Sequence, residues 1–414
     1  MKIKAVIYFL LVAILLSSCK AVPSEVENEI IRHNKERDND FEVSLEYIRA
    51  EDVSDSIRAA LGETYKQFDF SGVSVENKIF NNIYSIVFMQ EIGFEKNFQG
   101  IAELFFSEEL LKNYELETVD IDDNRVDYRI YDETEKIYVC VSNNGFSIIT
   151  DSFAFDSIFN VNEKVAVYHI DRDLYSDAKY QLKDAEFSIK QAVDYVEEWL
   201  ASEWVTYEPF YEFKVKTIIV RKTQNNEYYF DIMVEKYLDG IPLEEIINVV
   251  SEREETIGLP YFVYTSNCIE IKMMNSNEIN YFRNNFGIIK PLEKEPLEEC
   301  ISPKSAIEMC SNTFSDYKTF TVSDFGIKYL LMPVYDFSNI EMTSQNDDFI
   351  SYKAQSMDAA GIIINSKPVW EIIIDVPPED YLMNDEKDIY GNVRKFIYID
   401  MITGELIFNL DIVK

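Results

Sequence analysis

Short apolar segments separated by polar turns recur along the first half of the chain, and this pattern predicts strands. Asn143-Asn144-Gly145 predicts a tight hairpin between the segments Lys136–Val141 and Gly145–Thr150. Residues Ile101–Tyr114 instead show apolar positions at helical spacing, which predicts an amphipathic helix. The predicted strands are Ile83–Met89, Arg125–Tyr131, Lys136–Val141, Gly145–Thr150 and Val165–Ile170.

The second half contains a short motif twice, and each copy predicts the start of a helix. Ser188, with Gln191 three residues later, is typical of a capping box. Ser302 is followed by Pro303, which suits the first helical position because its missing N–H has no partner there. The matching positions are Ser188, Lys190, Ala192 and Val193 in the first copy and Ser302, Lys304, Ala306 and Ile307 in the second.

Both helices carry an apolar stripe, and strands follow each of them. In the segment Val369–Val376, four apolar residues beginning at Trp370 share one face, and Glu371 and Asp375 lie on the other. A helix followed by antiparallel strands, made twice, predicts an α+β fold with antiparallel sheets and helices packed on one face. The other predicted strands are Phe213–Val220, Tyr228–Tyr237 and Ile327–Val334, and the apolar stripes are Ile189, Ala192, Val193, Val196, Trp199 and Leu200, then Ala306, Ile307, Cys310 and Phe314.

Changes in composition divide the chain into segments. Residues 176–184 are polar and form our preferred boundary between an N-terminal α+β domain, residues 41–180, and the tandem units. The first helix-plus-strands unit covers residues 184–290 and the second covers 296–414. The second unit ends in two apolar strands within Lys395–Leu410, joined by a turn at Thr403-Gly404.

A resemblance to known proteins enters with the last hairpin. A helix opening near Ser-x-Lys-x-Ala, then strands, then Tyr398, Asp400, Thr403, Gly404 and Glu405 resemble the PepSY unit of extracytoplasmic bacterial proteins. The turn at residues 239–242, together with Pro333 and residues 368–370, is similar to uncharacterised lipoproteins of Firmicutes with tandem PepSY-like units. The resemblance covers roughly residues 184–412, and the first copy lacks the Thr-Gly-Glu ending. It implies a role in restraining peptidases or modulating membrane sensor proteins.

The start of the chain has the layout of a signal peptide. Two lysines, Lys2 and Lys4, precede the apolar run Ala5–Leu16, which is shorter than the roughly 20 residues needed to span a bilayer. The ending Leu16-Ser17-Ser18-Cys19 resembles the lipobox of bacterial lipoproteins. That resemblance implies removal of residues 1–18 and a diacylglyceryl group on Cys19; an ordinary secretory signal with an incidental cysteine is the alternative. The charged residues 20–40 then form a tether.

The net charge and the cysteines limit the classes of binding partner and the cellular locations that the sequence allows. The net charge of −36 disfavours binding to nucleic acid or to anionic lipid headgroups, so attachment to the membrane requires the lipid on Cys19. The sequence therefore predicts a protein on the extracytoplasmic face of the cell membrane. The remaining cysteines are Cys140, Cys268, Cys300 and Cys310. Their spacing shows no CxxC pair, and both disulfides and buried free thiols are consistent with it.

Residues for catalysis are scarce in this sequence. Of two histidines, His33 lies in the tether and His169 ends a strand beside Asp171. No nucleophile elbow, zinc-protease motif, phosphate-binding loop or dinucleotide fingerprint occurs. Asp171 and Asp173 follow a strand as in the nucleophile loop of haloacid-dehalogenase phosphatases, but a hairpin-rich chain lacks the parallel sheet those enzymes need. We therefore expect no catalysis and no cofactor.

One acidic turn is a weak candidate for a cation site. Asp120, Asp122 and Asn124 match the first three ligand positions of a calcium loop. Arg125 takes the place near the turn where such loops have glycine, and Tyr131 stands where they have glutamate, so a solvated turn is favoured.

These observations together predict a membrane-anchored extracytoplasmic lipoprotein. Its expected role is that of a non-catalytic module that binds or regulates another extracytoplasmic protein. The alternative function is a lipoprotein that binds a cation or a small solute through its acidic loops.

Overall fold

The computed structural model describes most of the chain beyond the predicted tether. Cys19, residues 20–40, Asn124 and residues 171–173 lie outside the described part. The described residues are 45–74, 80, 82–91, 100–112, 117–122, 125–132, 137–142, 145–150, 163–170, 178–223, 226–249, 263–266, 269–284, 287–315, 317–333, 361–377 and 392–408.

Strands dominate the fold, and helices are few. The helices are α1 (Val53–Leu61), α2 (Glu108–Leu111), α3 (Ile189–Ser202) and α4 (Pro303–Thr313). The strands are β1 (Tyr47–Arg49), β2 (Phe68–Asp69), β3 (Tyr84–Glu91), β4 (Glu117–Asp122), β5 (Arg125–Asp132), β6 (Ile137–Ser142), β7 (Gly145–Ile149), β8 (Glu163–His169), β9 (Lys179–Gln181), β10 (Glu186–Ser188), β11 (Glu212–Lys222), β12 (Tyr228–Leu238), β13 (Ile241–Val249), β14 (Val263–Ser266), β15 (Ile269–Met273), β16 (Tyr281–Asn284), β17 (Ile289–Pro296), β18 (Glu299–Ile301), β19 (Phe320–Pro333), β20 (Gly361–Val376), β21 (Val393–Asp400) and β22 (Leu406–Phe408).

Most strands belong to a large curled mixed sheet that forms a half-barrel. Its central ladder runs β8-β11-β12-β13-β19-β20-β21-β22. All of these pairings are antiparallel except β13 with β19, which run parallel with Leu243 opposite Tyr329. The ladder branches where β12 also pairs with β15 and where β20 also pairs with β3. A branched ladder of this kind brings distant parts of the sequence into one sheet.

The prediction of an α+β fold, with antiparallel sheets in tandem units and helices on one face, is wrong. Strands of the two predicted units hydrogen-bond to each other through the parallel pair β13–β19. Strands from the first half also join the sheet, because β7 pairs with β16 and β3 pairs with both β17 and β20. The hydrophobic period identifies a strand and its buried face, but the partner of each backbone edge is chosen by long-range pairing. The boundaries at residues 180, 184, 290 and 296 stay predictions.

The predicted starts of the two repeated helices are confirmed, whereas the predicted helix in the first half is not continuous. The capping box of α3 is present, with Ser188 Oγ accepting from Gln191 N at 3.0 Å and Gln191 Oε1 accepting from Ser188 N at 2.9 Å. Ser302 Oγ caps α4 by accepting from Ser305 N at 3.1 Å, with Pro303 as the first helical residue. The predicted helix at Ile101–Tyr114 is interrupted at residues 104–107, and α2 begins only afterwards.

Two predicted turns are also confirmed. Ser142 pairs with Gly145, which closes the hairpin between β6 and β7. Gly404 has a φ of 77°, and a Cβ there would lie 2.9 Å from the Ile301 side chain. Glycine is required at this turn because it accepts the left-handed conformation and leaves room for the neighbouring side chain.

Helix α3 packs against β11 of the sheet and contributes its buried side to the main apolar core. The buried side of α3 consists of Ile189, Ala192, Val193, Val196 and Leu200. Trp370 is fully buried and stacks on Phe325, with ring centroids 5.5 Å apart and planes 9° apart. Cys300 and Cys310 are buried free thiols, which agrees with one of the two alternatives derived from the sequence.

The cap of α3 provides a test of the fold. Replacing Ser188 with Ala removes the acceptor for Gln191 N, so we expect the free energy of unfolding to fall by about 1 kcal/mol. Urea denaturation followed by circular dichroism measures the change. Ser202→Ala at the exposed C-terminal end of the same helix is the control and should change stability by less than about 0.5 kcal/mol. Equal losses in the two variants would contradict the capping role.

Candidate functional site: a buried lysine–glutamate cluster

The central strands bury both of their faces, and the two faces differ in chemistry. On β12, one face carries apolar residues of the main core, including Phe230, Ile232 and Val234. The opposite face carries Asp231 and Glu235, which are 2% and 7% exposed. Because successive side chains of a strand point to opposite sides, these two carboxyl groups lie on the second face, where they are withdrawn from water.

Six neighbouring strands each contribute one residue to a single cluster on this second face. We name this set the lysine–glutamate cluster: Lys216 from β11, Glu235 from β12, Glu244 from β13, Lys328 from β19, Glu371 from β20 and Tyr398 from β21. Neighbouring strands lie about 4.8 Å apart, so a flat sheet would separate β11 from β21 by about 24 Å. Lys216 Nζ is only 4.8 Å from the centre of the Phe396 ring on β21. The sheet therefore curls around the cluster, which fills the concave side of the half-barrel.

Lys328 is the centre of the cluster. Its ammonium group lies 2.6 Å from Glu244 Oε2, 2.7 Å from Glu371 Oε1 and 3.1 Å from Glu235 Oε1. Its side chain is only 1% exposed. One lysine thus joins strands β12, β13 and β20 to its own strand β19, and the predicted first and second units meet at this residue.

A second lysine reaches the cluster because β11 contains a bulge. The register shifts between Val215 and Thr217, so Lys216 is an extra residue on that strand. Its ammonium group lies 2.7 Å from Glu235 Oε1 and 3.9 Å from Glu244 Oε2. Glu197 of α3 accepts a hydrogen bond from Val215 N at 2.9 Å, next to the bulge. The helix on the apolar face therefore supports the strand irregularity that directs Lys216 to the opposite face.

Two tyrosines complete the hydrogen bonding of the glutamates. Tyr398 donates to Glu244 Oε2 at 2.9 Å, and Tyr237 donates to Glu235 Oε2 at 3.1 Å. Phe396 stacks with Tyr398, with ring planes 10° apart, and borders both ammonium groups. These aromatic rings keep water from the ion pairs and add cation–π attraction.

Burial and charge act against each other on the three carboxyl groups. Burial favours the neutral form of Glu235, but Lys216 and Lys328 outweigh it and lower its pKa to about 2. The pKa of Glu244 is also lowered, because the same two lysines outweigh its desolvation. For Glu371 desolvation prevails over the attraction of Lys328, and its pKa is raised. The pKa of Lys328 is well above the usual value, since the surrounding glutamates outweigh its burial.

A separate ion pair lies within the apolar core. Glu208 and Lys236 are both fully buried, with Lys236 Nζ 2.6 Å from Glu208 Oε1. Trp204 Nε1 donates to the other oxygen of Glu208 at 2.8 Å, and Asn284 Oδ1 accepts from Lys236 at 3.4 Å. This pair fixes the segment after α3 against β12 and β16 by polar contacts within an otherwise apolar layer.

The residues singled out from the sequence do not meet in this cluster. Asp120 and Asp122 lie in β4, opposite Val126 and Arg125 of β5, so they belong to a hairpin ladder. His169 Nδ1 is 3.3 Å from Thr217 Oγ1 at the end of β8. Within the residues that the structure describes, no group of three or more His, Cys, Asp or Glu is placed to hold a metal ion.

Sequence reasoning missed the cluster, although one signal for it was visible. Glu371 was assigned correctly to the face opposite Trp370, and Lys328 is the one charged residue in the predicted strand Ile327–Val334. A single charge inside an apolar strand indicates a buried partner. The identity of that partner depends on the pairing of strands that are far apart in sequence.

Each charged group of the cluster contacts another member, and this arrangement suits a structural joint. A nucleophile or general base needs an unoccupied side toward the substrate, whereas Glu235 and Glu244 each accept from a lysine and a tyrosine. The geometry can hold six strands together and can store a proton.

Comparisons with known proteins give a structural likeness without a functional one. No protein family matches the sequence, and no curated protein matches it. Nine chains of solved structures match, and among them is an uncharacterised protein from Eubacterium rectale ATCC 33656. That chain is 14% identical with a TM-score of 0.47, and the match covers 79% of this chain and 86% of that one.

Loss of the central lysine should destabilise the protein strongly. Lys328→Met keeps the length of the side chain but leaves carboxylates buried without their shared cation. We expect the free energy of unfolding to fall by roughly 3–5 kcal/mol, measured by urea denaturation. The control is Lys214→Met, since that side chain is 53% exposed and should contribute less than about 1 kcal/mol. If Lys328→Met lowers the free energy of unfolding no more than Lys214→Met does, the structural role of the lysine–glutamate cluster is contradicted.

Proposed function

We propose that this chain is a lipid-anchored protein on the extracytoplasmic face of the cell membrane, attached through Cys19. The single observation that carries this proposal is the leader, in which Lys2 and Lys4 precede the apolar run Ala5–Leu16 and a Ser-Ser-Cys ending. The thioether lipid on Cys19 would be the membrane anchor, and residues 20–40 would separate the folded body from the bilayer.

The charge of the chain supports attachment by lipid rather than by the protein surface. In the part of the chain that the structure describes, no helix is long and apolar enough to cross a membrane. A net charge of −36 gives the body no electrostatic attraction to anionic headgroups. Two acyl chains on one cysteine are sufficient for stable anchoring.

We further propose that the folded body binds another extracytoplasmic protein and has no catalytic activity. The resemblance of residues 184–412 to PepSY-like units supports a regulatory partner, either a peptidase or a membrane sensor protein. The engagement of Lys216, Lys328 and their glutamates with one another supports a structural use of the buried charges. Recognition would then depend on the outer surface of the body.

Lipid attachment can be measured directly. Cells that express the full chain and are grown with labelled palmitate should incorporate label into the protein, and Cys19→Ala should abolish the label and release the protein from the membrane fraction. Ser17→Ala is the matched control, because it keeps a small residue before Cys19 and should be labelled normally. An unlabelled wild-type chain would exclude the anchor.

The binding role predicts a specific neighbour at the cell surface. Chemical crosslinking on intact cells should yield an adduct between this chain and a different extracytoplasmic protein, identified by mass spectrometry. Cys19→Ala should reduce that adduct if the partner is membrane-bound, since the anchored chain and its partner share the surface. Adducts that contain only this chain would contradict the proposed binding role.

A further inference from the structure

The lysine–glutamate cluster contains more carboxyl groups than ammonium groups. Among the described residues, Glu235, Glu244 and Glu371 form ion pairs with two cations, Lys216 and Lys328, and each lies 2.6 to 3.1 Å from a lysine. With every carboxyl group ionised, the cluster would bury a net negative charge inside the half-barrel. An uncompensated buried charge is costly, and proteins commonly avoid it by binding a proton.

Hydrogen bonding distinguishes the three carboxyl groups. Glu235 accepts from Lys216, Lys328 and the hydroxyl of Tyr237. Glu244 accepts from Lys328 and the hydroxyl of Tyr398. Within the described part of the chain, the polar contact of Glu371 is the ion pair with Lys328 at 2.7 Å, and its buried Oε1 lacks a partner with hydrogen-bond geometry. Of the three carboxyl groups, Glu371 therefore has the fewest hydrogen-bond donors to stabilise its ionised form.

We infer that Glu371 binds a proton in the folded protein at neutral pH, so that the lysine–glutamate cluster is electrically neutral and acts as a pH-sensitive lock between the strands. The groups that face this site are Lys216 from β11, Glu235 and Tyr237 from β12, Glu244 from β13, Lys328 from β19, and Tyr398 with the apolar Phe396 from β21. The neutral hydroxyls of the two tyrosines act as donors and add no charge. The raised pKa of Glu371 agrees with this assignment.

The sign of the pH effect follows from proton binding. The unfolded chain releases the Glu371 proton near its ordinary pKa of 4.5, whereas the folded chain retains it to higher pH. Between the pKa of Glu371 in the unfolded chain and its higher pKa in the folded chain, the folded state holds one proton more. The free energy of unfolding therefore decreases as pH rises. The unfolding equilibrium constant gains up to about tenfold per pH unit from this group, until the folded protein also releases the proton. A rise in pH above the ordinary pKa of Glu371 would therefore loosen the half-barrel until the folded protein also releases the proton.

The test compares isosteric variants of the full chain purified in detergent. Glu371→Gln replaces the neutral acid with a neutral amide that the unfolded chain cannot ionise, so we expect an unfolding equilibrium constant at pH 7 no larger than that of the wild type and a pH dependence smaller by one proton between pH 5 and 8. Glu235→Gln removes an ionised partner of both lysines and should increase the unfolding constant at pH 7 by more than about a hundredfold. If Glu371→Gln is as damaging as Glu235→Gln and its pH dependence is unchanged, the inference is wrong.

Infrared spectroscopy of the wild-type chain tests the protonation of Glu371 even if a variant fails to fold. A protonated carboxyl group has a carbonyl band separate from that of carboxylates, and the folded chain at pH 7 should show one that disappears at alkaline pH. The band should be absent in Glu371→Gln and retained in Glu295→Gln, which changes an exposed residue of β17. A wild-type spectrum without this band, or a band that survives in Glu371→Gln, would overturn the assignment.

Discussion

The removal of two ammonium and three carboxyl groups from water is the constraint on which the half-barrel depends. Each of these groups loses hydration worth several kcal/mol, and the loss is offset only while the strands hold their partners at contact distance. Lys328 meets glutamates from β12, β13 and β20, so a shift of any of these strands would leave a charge without compensation. The cluster thereby favours one strand arrangement over others with similar apolar burial.

The two faces of the sheet contribute differently to this arrangement. On the apolar face, α3, Trp370 and the surrounding strand residues bury hydrophobic surface. Such contacts disfavour a shift in strand register, but the hydrophobic attraction itself is not directional. The concave face supplies directional contacts. The two are coupled at β11, where Glu197 on the helix side accepts from the backbone beside the bulge and Lys216 points to the cluster.

The proposed anchor and the folded body are independent in physical terms. In the proposal the location depends on residues 1–19 alone, because a leader of this kind is recognised without tertiary structure. The body contains buried charges whose contacts hold the strands together. A protein outside the cytoplasm meets wider variation in pH than a cytoplasmic one, and a buried carboxyl group that holds its proton only below alkaline pH would convert such variation into a change in the rigidity of the sheet.

The sequence by itself determined how α3 and α4 are capped and which side of Val369–Val376 carries Trp370, but β19 and β20 begin at Phe320 and Gly361, before the predicted Ile327 and Val369. Those properties depend on residues within a few positions of each other, such as Ser188 with Gln191, or Trp370 with Glu371. Tertiary structure alone decided which strands pair, and so joined β13 to β19 and brought Lys328 to Glu235 and Glu244. The α+β prediction failed at this level, because a strand's hydrogen-bonding edges are alike in every sequence. Only the folded chain selects among them, by the burial and the charge compensation that each pairing permits.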